Sequence, residues 1–268
     1  MPLTDLIRYF NTADSASGSM LYPEGERAAA WCNGLRLGSL FQPIVDLREE
    51  RIVGHRASLR AVRDDGTPID GDAAYALCGD AAAVVHFDRL CRTLHALNFL
   101  AQRRHAGGYL QVSVHPRHLL AVPSQHGLVY EAILKRCGLA PEDIVFDIDL
   151  PTADDGAYLA ALDNYRRRGY RLALRTLLAR TTAALLALRP EIIRLPACSA
   201  EAAAQARAAG VASEVSGIES GADLVQARAA GIDLGLGSLF GAPQADCRPT
   251  HSKRGVAYNS LSPDGVSP

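Results

Sequence analysis

The chain has 268 residues, of which 48% are hydrophobic and 21% are charged, and its formal net charge is −1. These values are typical of a globular protein with a sizeable core, and they give no support for binding to nucleic acid or to a charged membrane surface. No apolar run reaches the roughly 18 residues that a membrane helix needs, and no signal peptide is visible. We therefore expect a cytoplasmic protein without membrane insertion.

The beginning of the chain predicts an appendage followed by a domain that opens with a hairpin. Residues 1–30 are interpreted as an N-terminal appendage and linker, because a short amphipathic stretch is followed by serine, alanine and glycine. The main domain is predicted over residues 31–245. FQPIVDL, which begins at Phe41, and RIVGHRASLR, which ends at Arg60, flank a charged cluster, and this pattern is typical of two strands joined by a turn.

Regular alternation of strands and helices follows. The segment from Gly71 to Gly108 has apolar residues at helical spacing and ends at a glycine pair. Six further strands are predicted at Tyr109–Val114, Ile144–Ile148, Arg171–Leu174, Ile192–Leu195, Val211–Val215 and Ile232–Phe240. The helices between them are predicted at Gly127–Cys137, Ala157–Arg168, Thr181–Leu188, Ala200–Ala209 and Gly221–Ala230. This order indicates a parallel α/β architecture, and eight strands favour a closed barrel over an open sheet. The polar residues 246–268 are predicted to be a disordered tail.

Cysteine and histidine do not predict a metal site or a cofactor. The six cysteines are scattered without a CxxC pair, so we interpret them as buried free thiols in a reducing compartment. His115 and His118 flank Pro116 and Arg117 after a predicted strand. No third ligand accompanies them, and we interpret them as solvated loop histidines.

The working residues of a βα barrel lie at the C-terminal ends of its strands. Along these strand ends the sequence resembles the EAL domain, a bacterial family of cyclic di-GMP phosphodiesterases. FQPIVDL at Phe41 and RASLR ending at Arg60 are similar to the family's FQPIV and EALLR, and LFGAP is similar to its LFGRP. The resemblance covers about Leu35 to Pro243. It implies a TIM-like (βα)8 barrel of the EAL type, with the first strand antiparallel to the rest.

The first half of the family's metal-binding set is replaced. Arg56 stands at the glutamate of the EAL triplet, and Ser113 stands at a metal-binding asparagine. Asp147 replaces a metal-binding glutamate by a shorter acid. An acid that would bind a divalent cation has therefore become a cation, and one ligand has become a neutral hydroxyl.

The second half of the set is replaced as well. Arg175 and Thr176 stand where the family's DDFGTG segment has two aspartates, and Ser216 stands at the glutamate of AEGVET. Two-metal phosphodiester cleavage needs hard oxygen ligands around both cations, and arginine remains protonated in proteins. We therefore predict no metal site, no catalytic residues and a pseudoenzyme derived from a phosphodiesterase.

Some positions keep groups that the resemblance links with the ligand. Gln42 and Arg60 match positions that contact cyclic di-GMP, and Pro243 matches one that packs on a guanine base. Arg194 keeps the charge of a lysine that orients the attacking water, and Glu219 keeps a family acid. These five are the candidate ligand-binding residues.

The resemblance thus implies a catalytically inactive regulator of cyclic di-GMP signalling. Arg56 and Arg175 either bind the phosphates of cyclic di-GMP without metal, or pair with Asp147 or Asp149 and close the pocket. In the second case the surface would carry the function by binding a protein partner. Residual phosphodiesterase activity is the alternative. The basic stretch Arg166–Arg171 lies at a helix end, where cations are favourable anyway, so nucleic acid is not an expected partner.

Overall fold

The computed structural model describes residues 2–13, 18–103, 106–122, 128–150, 156–175 and 188–250. The strands in these ranges are β1 (Met20–Glu24), β2 (Arg27–Cys32), β3 (Leu35–Asp46), β4 (Arg51–Arg63), β5 (Pro68–Ile69), β6 (Tyr109–Ser113), β7 (Ile144–Asp149), β8 (Arg171–Arg175), β9 (Ile192–Leu195), β10 (Ala212–Val215) and β11 (Leu234–Gly235). The α-helices are α1 (Leu3–Ala13), α2 (Gly71–Ala76), α3 (Ala81–Ala101), α4 (Pro116–Ala121), α5 (Leu128–Cys137), α6 (Gly156–Arg167), α7 (Ala200–Ala208) and α8 (Gly221–Ala229).

Eight of these strands close a barrel. Strand β4 pairs in parallel with β6, and parallel pairing continues in chain order through β11. Strand β3 completes the ring because it pairs antiparallel with both β11 and β4. The barrel strands are nearly continuously buried, as in Ile144–Asp149, because helices cover their outer face. The predicted (βα)8 barrel with an antiparallel first strand is confirmed.

The predicted boundaries agree with the structure to within one or two residues for most strands and helices. The long helical segment, however, consists of α2 and α3 rather than one helix. The break occurs at Asp80, whose backbone is extended and whose side chain accepts a hydrogen bond from Ala83 N at 2.7 Å. An N-cap of this kind starts a new helix. The helix predicted at Thr181–Leu188 lies outside the described residues, except for Leu188.

The N-terminal residues extend the sheet instead of forming a loose linker. Strand β2 pairs antiparallel with the first three residues of β3, and β1 pairs with β2. The Asn98 side chain of α3 also holds β2 in place through two hydrogen bonds to the backbone of Ala28. Its Oδ1 accepts from Ala28 N at 2.7 Å, and its Nδ2 donates to Ala28 O at 2.9 Å. Helix α1 buries Leu6, Ile7 and Phe10 in the same core.

The first residues of the predicted disordered tail also pack against the domain. Cys247 is buried, and its backbone N–H donates to Gln102 Oε1 at 2.7 Å. The Thr250 hydroxyl accepts from Gly107 N at 2.8 Å. Residues 246–250 are therefore not disordered, and residues 251–268 lie outside the described ranges. All six cysteines are free, and five of them are buried. None of the described helices has the length and apolarity to cross a membrane.

Candidate functional site

A pocket of about 520 Å³ lies at the C-terminal ends of the barrel strands, where the sequence predicts the site. Strand alternation places Arg56, Ser113, Asp147 and Arg194 toward this end of the barrel interior, and helix α2 adds Tyr75 to the wall. We call this the mouth pocket. Its floor is occupied by charged side chains, whose partners decide what the pocket can bind.

Arg56 is held from several sides at the floor of the mouth pocket. Its guanidinium forms an ion pair with Glu214, lies 3.5 Å from Asp147 Oδ2 and donates to Ser216 Oγ at 3.0 Å. In the orientation that satisfies both of its neighbours, the Gln111 amide donates to Glu214 at 3.1 Å and accepts from Arg56 at 3.3 Å. Arg56 therefore lies among protein acceptors instead of extending toward a ligand.

The other two arginines are paired in the same way. Arg194 forms an ion pair with Asp147 and approaches Asp149 Oδ1 at 3.3 Å and Glu214 Oε1 at 3.4 Å. Arg175 makes a bidentate contact with Asp149 at 2.6 and 2.5 Å. We call the six residues the mouth cluster; they are Arg56, Arg175, Arg194, Asp147, Asp149 and Glu214. Three cations thus face three anions.

The inner part of the mouth cluster is removed from water. The side chain of Glu214 is 0% exposed, that of Asp147 is 5% exposed, and those of Arg56 and Arg194 are 15% and 16% exposed. Burial raises the pKa of Glu214, and Asp147 acts in the same direction, whereas the two arginines oppose the shift. Although burial alone lowers it, the net pKa of Arg194 is raised by Asp147 and Glu214. Each charge therefore depends on its partners.

The donor set does not fit the pair of divalent cations that the EAL resemblance implies. Such a site needs several carboxylate oxygens that face a common point. Here Arg56 and Arg194 contact the oxygens of Asp147 and Glu214, and a fixed guanidinium charge within 4 Å opposes a metal ion. Among the described residues, no three His, Cys, Asp or Glu side chains are grouped to hold a metal.

The five candidate ligand-binding residues are not brought together. Only Arg194 lines the mouth pocket. Gln42 donates to the Gly241 carbonyl at 3.1 Å, while Arg60 lines a separate shallow recess of the β3–β4 hairpin. Glu219 and Pro243 are exposed. The predicted position Thr176 lies outside the described residues.

Sequence reasoning missed Glu214, the most buried acid of the cluster. It precedes Ser216 by two residues, and residues two apart on a strand face the same side. Because Ser216 had already been assigned to the barrel mouth, its spacing of two residues from Glu214 could have identified Glu214 as well.

The interpretation of His118 was wrong. Its side chain is buried in α4, with Nδ1 3.2 Å from Asp88 Oδ2 and Nε2 3.3 Å from Arg92 Nη2. Asp88 also accepts from the Tyr75 hydroxyl at 2.7 Å and from His115 N at 3.0 Å. Although burial acts in the opposite direction, Arg92 and His118 lower the pKa of Asp88. This group anchors α2 and α4 beside the mouth pocket.

The family follows from a comparison with family models. The model described as EAL domain matches residues 32–243, a range that contains all eight barrel strands. The chain belongs to the EAL domain family. No curated protein matches it.

Solved EAL structures share the fold. BlrP1 of Klebsiella pneumoniae, solved as a calcium and cyclic di-GMP complex, has a TM-score of 0.68 at 17% identity, covering 93% of this chain and 68% of its own. The Bacillus subtilis YkuI protein, in complex with substrate cyclic di-GMP and calcium, has a TM-score of 0.66 at 16% identity, and the match covers 80% of this chain and 57% of YkuI. A standalone versatile EAL protein from Vibrio cholerae O395, in its cyclic di-GMP-bound form, has a TM-score of 0.59 at 17% identity, and the match covers 78% of this chain and 92% of that protein. The chain thus spans about two thirds or less of the first two relatives.

Proposed function

We propose that this EAL-domain protein is a catalytically inactive regulator in cyclic di-GMP signalling that acts by binding a protein partner in the cytoplasm. The observation that carries the proposal is the mouth cluster, in which three arginines are neutralised by three carboxylates. The acids that could hold a cation are already bound by guanidinium groups. The arginines that could hold a phosphate are already bound by acids.

The energetics of the cluster favour a closed site over an open receptor. A phosphate that replaced Glu214 as the partner of Arg56 would take the nearest cation away from a carboxylate with 0% side-chain exposure and leave it only the longer contact with Arg194 at 3.4 Å. Leaving a buried charge uncompensated costs several kcal/mol. A ligand would have to offset that loss before it gained any affinity.

Inactivity is tested by incubating the protein with cyclic di-GMP and Mg²⁺ or Mn²⁺ and separating the products by chromatography. We expect no linear dinucleotide. Its formation, if abolished by EDTA, would instead establish the residual phosphodiesterase that is the alternative function.

Metal-independent sensing of cyclic di-GMP is the second candidate function. It is favoured by the mouth pocket itself, which keeps about 520 Å³ of space above the cluster, and by the relatives solved with this dinucleotide. Calorimetry with cyclic di-GMP in EDTA tests it. Heat of binding at micromolar ligand, lost in Ser113→Trp at the pocket wall and kept in the distant Val225→Trp, would establish sensing.

The partner-binding proposal makes a different prediction for the same variants. Photo-cross-linking in the native host, followed by mass spectrometry, should recover the same protein with the wild-type chain and with Ser113→Trp. Failure to recover any reproducible protein, together with binding of cyclic di-GMP in the mouth pocket, would replace this proposal by the receptor.

A further inference from the structure

The only tryptophan of the chain lies on an exposed face of the sheet. Met20 of β1 lies opposite Trp31 of β2, which in turn lies opposite Arg36 of β3. The row continues to Val62 of β4, which lies opposite Arg36. We call the side of β1–β4 that carries these four residues the tryptophan face. Met20 is 54% exposed and Trp31 is 40% exposed, so two large apolar side chains lie next to each other in water.

The other side of these strands belongs to the core, and the edge at β1 is closed. Leu21, Ala30 and Leu37 alternate with the residues of the tryptophan face and are buried. The Asn11 side chain donates to Leu21 O at 2.7 Å and accepts from Leu21 N at 2.9 Å. Pro23 has no N–H to donate. A partner strand therefore finds these edge positions unable to pair, and a partner would have to use the face.

Two arginines beside Trp31 have no acidic partner. Arg36 and Arg60 are exposed, and neither forms an ion pair with another described residue. Both line the shallow recess around Gly38, where an added Cβ would meet only the Arg60 Cβ, at 3.9 Å. Glu24 is the one acid among the described lining residues, so the recess keeps one net positive charge. The two arginines are diagonal neighbours on adjacent strands, and an anion between them would remove their mutual repulsion.

The remaining charges of the face favour a single carboxylate over a polyanion. Arg27 is already paired with Asp246, and Glu24 and Glu26 are exposed at the turn between β1 and β2. These acids would repel the successive phosphates of a nucleic acid. An isolated carboxylate meets only the two arginines of the recess, and an apolar neighbour of that carboxylate could cover Trp31. This combination is typical of a protein surface.

We propose that the tryptophan face binds the protein partner, and that the partner presents an acidic side chain next to apolar ones. The carboxylate lies between Arg36 and Arg60, which donate hydrogen bonds to it, and the apolar side chains cover Trp31 and Met20. Tryptophan and arginine are over-represented among the residues that dominate binding energy at interfaces. The inference rests on the partner-binding function proposed above and adds the surface and the chemistry of the partner.

Photo-cross-linking in the native host tests the surface. The photoreactive residue p-benzoylphenylalanine at Met20 should capture one reproducible protein, and Arg36→Glu or Arg60→Glu should lower the yield at least fivefold. Arg63→Glu is the matched control and should leave the yield unchanged, because Arg63 is exposed on β4 but faces the opposite side from Arg60. The same photoreactive residue at Val225, which is 68% exposed on α8, should capture much less of this protein. All these variants should unfold at the wild-type temperature, since the replaced side chains are exposed.

Trp31 fluorescence tests the chemistry, because no other tryptophan contributes to the signal. The probes are short synthetic peptides that tile the captured protein. An acidic and apolar peptide should shift the Trp31 emission to shorter wavelength. Its affinity should fall at least tenfold when its acids are replaced by lysine, and Arg36→Glu should cause a similar loss.

The outcomes separate this inference from the function on which it rests. Capture of a reproducible protein at Val225 but not at Met20, or capture that Arg36→Glu does not lower, would overturn the inference and leave partner binding intact. No reproducible capture at either position would overturn both. A concentration-dependent dimer that Trp31→Ala dissociates would place a second copy on the face instead. Quenching of Trp31 by cyclic di-GMP, if Arg60→Glu abolished it, would assign the face to the nucleotide and would also overturn the proposal.

Discussion

Arg56 on β4 and Glu214 on β10 form an ion pair between two strands that are not neighbours in the sheet. The pair crosses the barrel interior, so it connects opposite parts of the wall. Its carboxylate is fully buried, and its guanidinium also approaches Asp147. Arg56, which the sequence resemblance predicts to stand at the family's name-giving glutamate, therefore acts as a structural cation within the barrel.

Arg56→Met should destabilise the protein by about 3 kcal/mol, because it leaves the buried Glu214 without its main cation. Arg175→Ala is the matched control: both side chains of its pair with Asp149 are about half exposed, and we expect a loss below about 1 kcal/mol. Urea denaturation measures both. The double variant Arg56→Met/Glu214→Met should recover most of the loss, and a double variant no more stable than Arg56→Met would contradict the pairing.

Stability should fall as the pH drops from 6.5 toward 4. Burial lowers the pKa of His55 and of His95 to about 4, so the unfolded chain binds more protons than the folded one in this window. Between pH 6.5 and pH 4, each histidine can lower the free energy of unfolding by roughly 3 kcal/mol. The free energy of unfolding, measured by denaturant titration at pH 7.5, 6.5 and 5.5, should decrease stepwise. His55→Phe should flatten the slope, and an unchanged slope would refute its assignment.

Asn98→Ala should release β2 from α3. The substitution removes both hydrogen bonds to Ala28 and leaves a buried backbone N–H and C=O unpaired, at a cost of about 3 kcal/mol. Hydrogen exchange at the amides of β1 and β2 should accelerate more than exchange in β7. Asn164→Ala is the control, since Asn164 is partly exposed and its described hydrogen bond is to the Ala160 carbonyl within its own helix, and it should shift stability by less than about 0.5 kcal/mol.

Gly108→Ala should be far more damaging than Gly138→Ala. Both glycines have positive φ, 79° and 74° respectively. A Cβ at Gly108 would lie 2.1 Å from Val53 O, whereas one at Gly138 would meet nothing within 4 Å. We expect Gly138→Ala to lose about 1 kcal/mol of stability from backbone conformation alone, and Gly108→Ala to lose more than about 3 kcal/mol. Thermal unfolding compares the two variants. Equal losses would show that the close approach to Val53 does not matter.

Local sequence patterns were sufficient for most of the barrel. Helices that stop at glycine and short apolar strands gave boundaries close to those observed, since these signals depend only on neighbouring residues. The N-terminal strands were not predicted, because the pairing of β2 with β3 and the clamp of Asn98 on Ala28 depend on contacts distant in sequence.

The site was predictable in position but not in pairing. The sequence identified Arg56 and Arg175 at the strand ends and left open whether they bind a ligand or an acid; the structure pairs Arg175 with Asp149. Arg60 faces the same side of β4 as Arg56, but four residues of strand separate them by about 13 Å. At that distance Arg60 lines a separate recess of the β3–β4 hairpin. The sequence did not show this, because it depends on how far the hairpin extends beyond the barrel.

The equal numbers of opposite charges in the mouth cluster have an evolutionary consequence. Replacing Arg56 by glutamate, the residue that the sequence resemblance predicts for this position in the family, would convert three cations and three anions into two cations and four anions. The variant would carry an unscreened excess of buried negative charge before any metal had a complete set of ligands. We therefore expect the Arg56→Glu variant to be less stable than the present protein, so the charge balance of the mouth cluster itself opposes the stepwise acquisition of metal ligands that begins at this buried position.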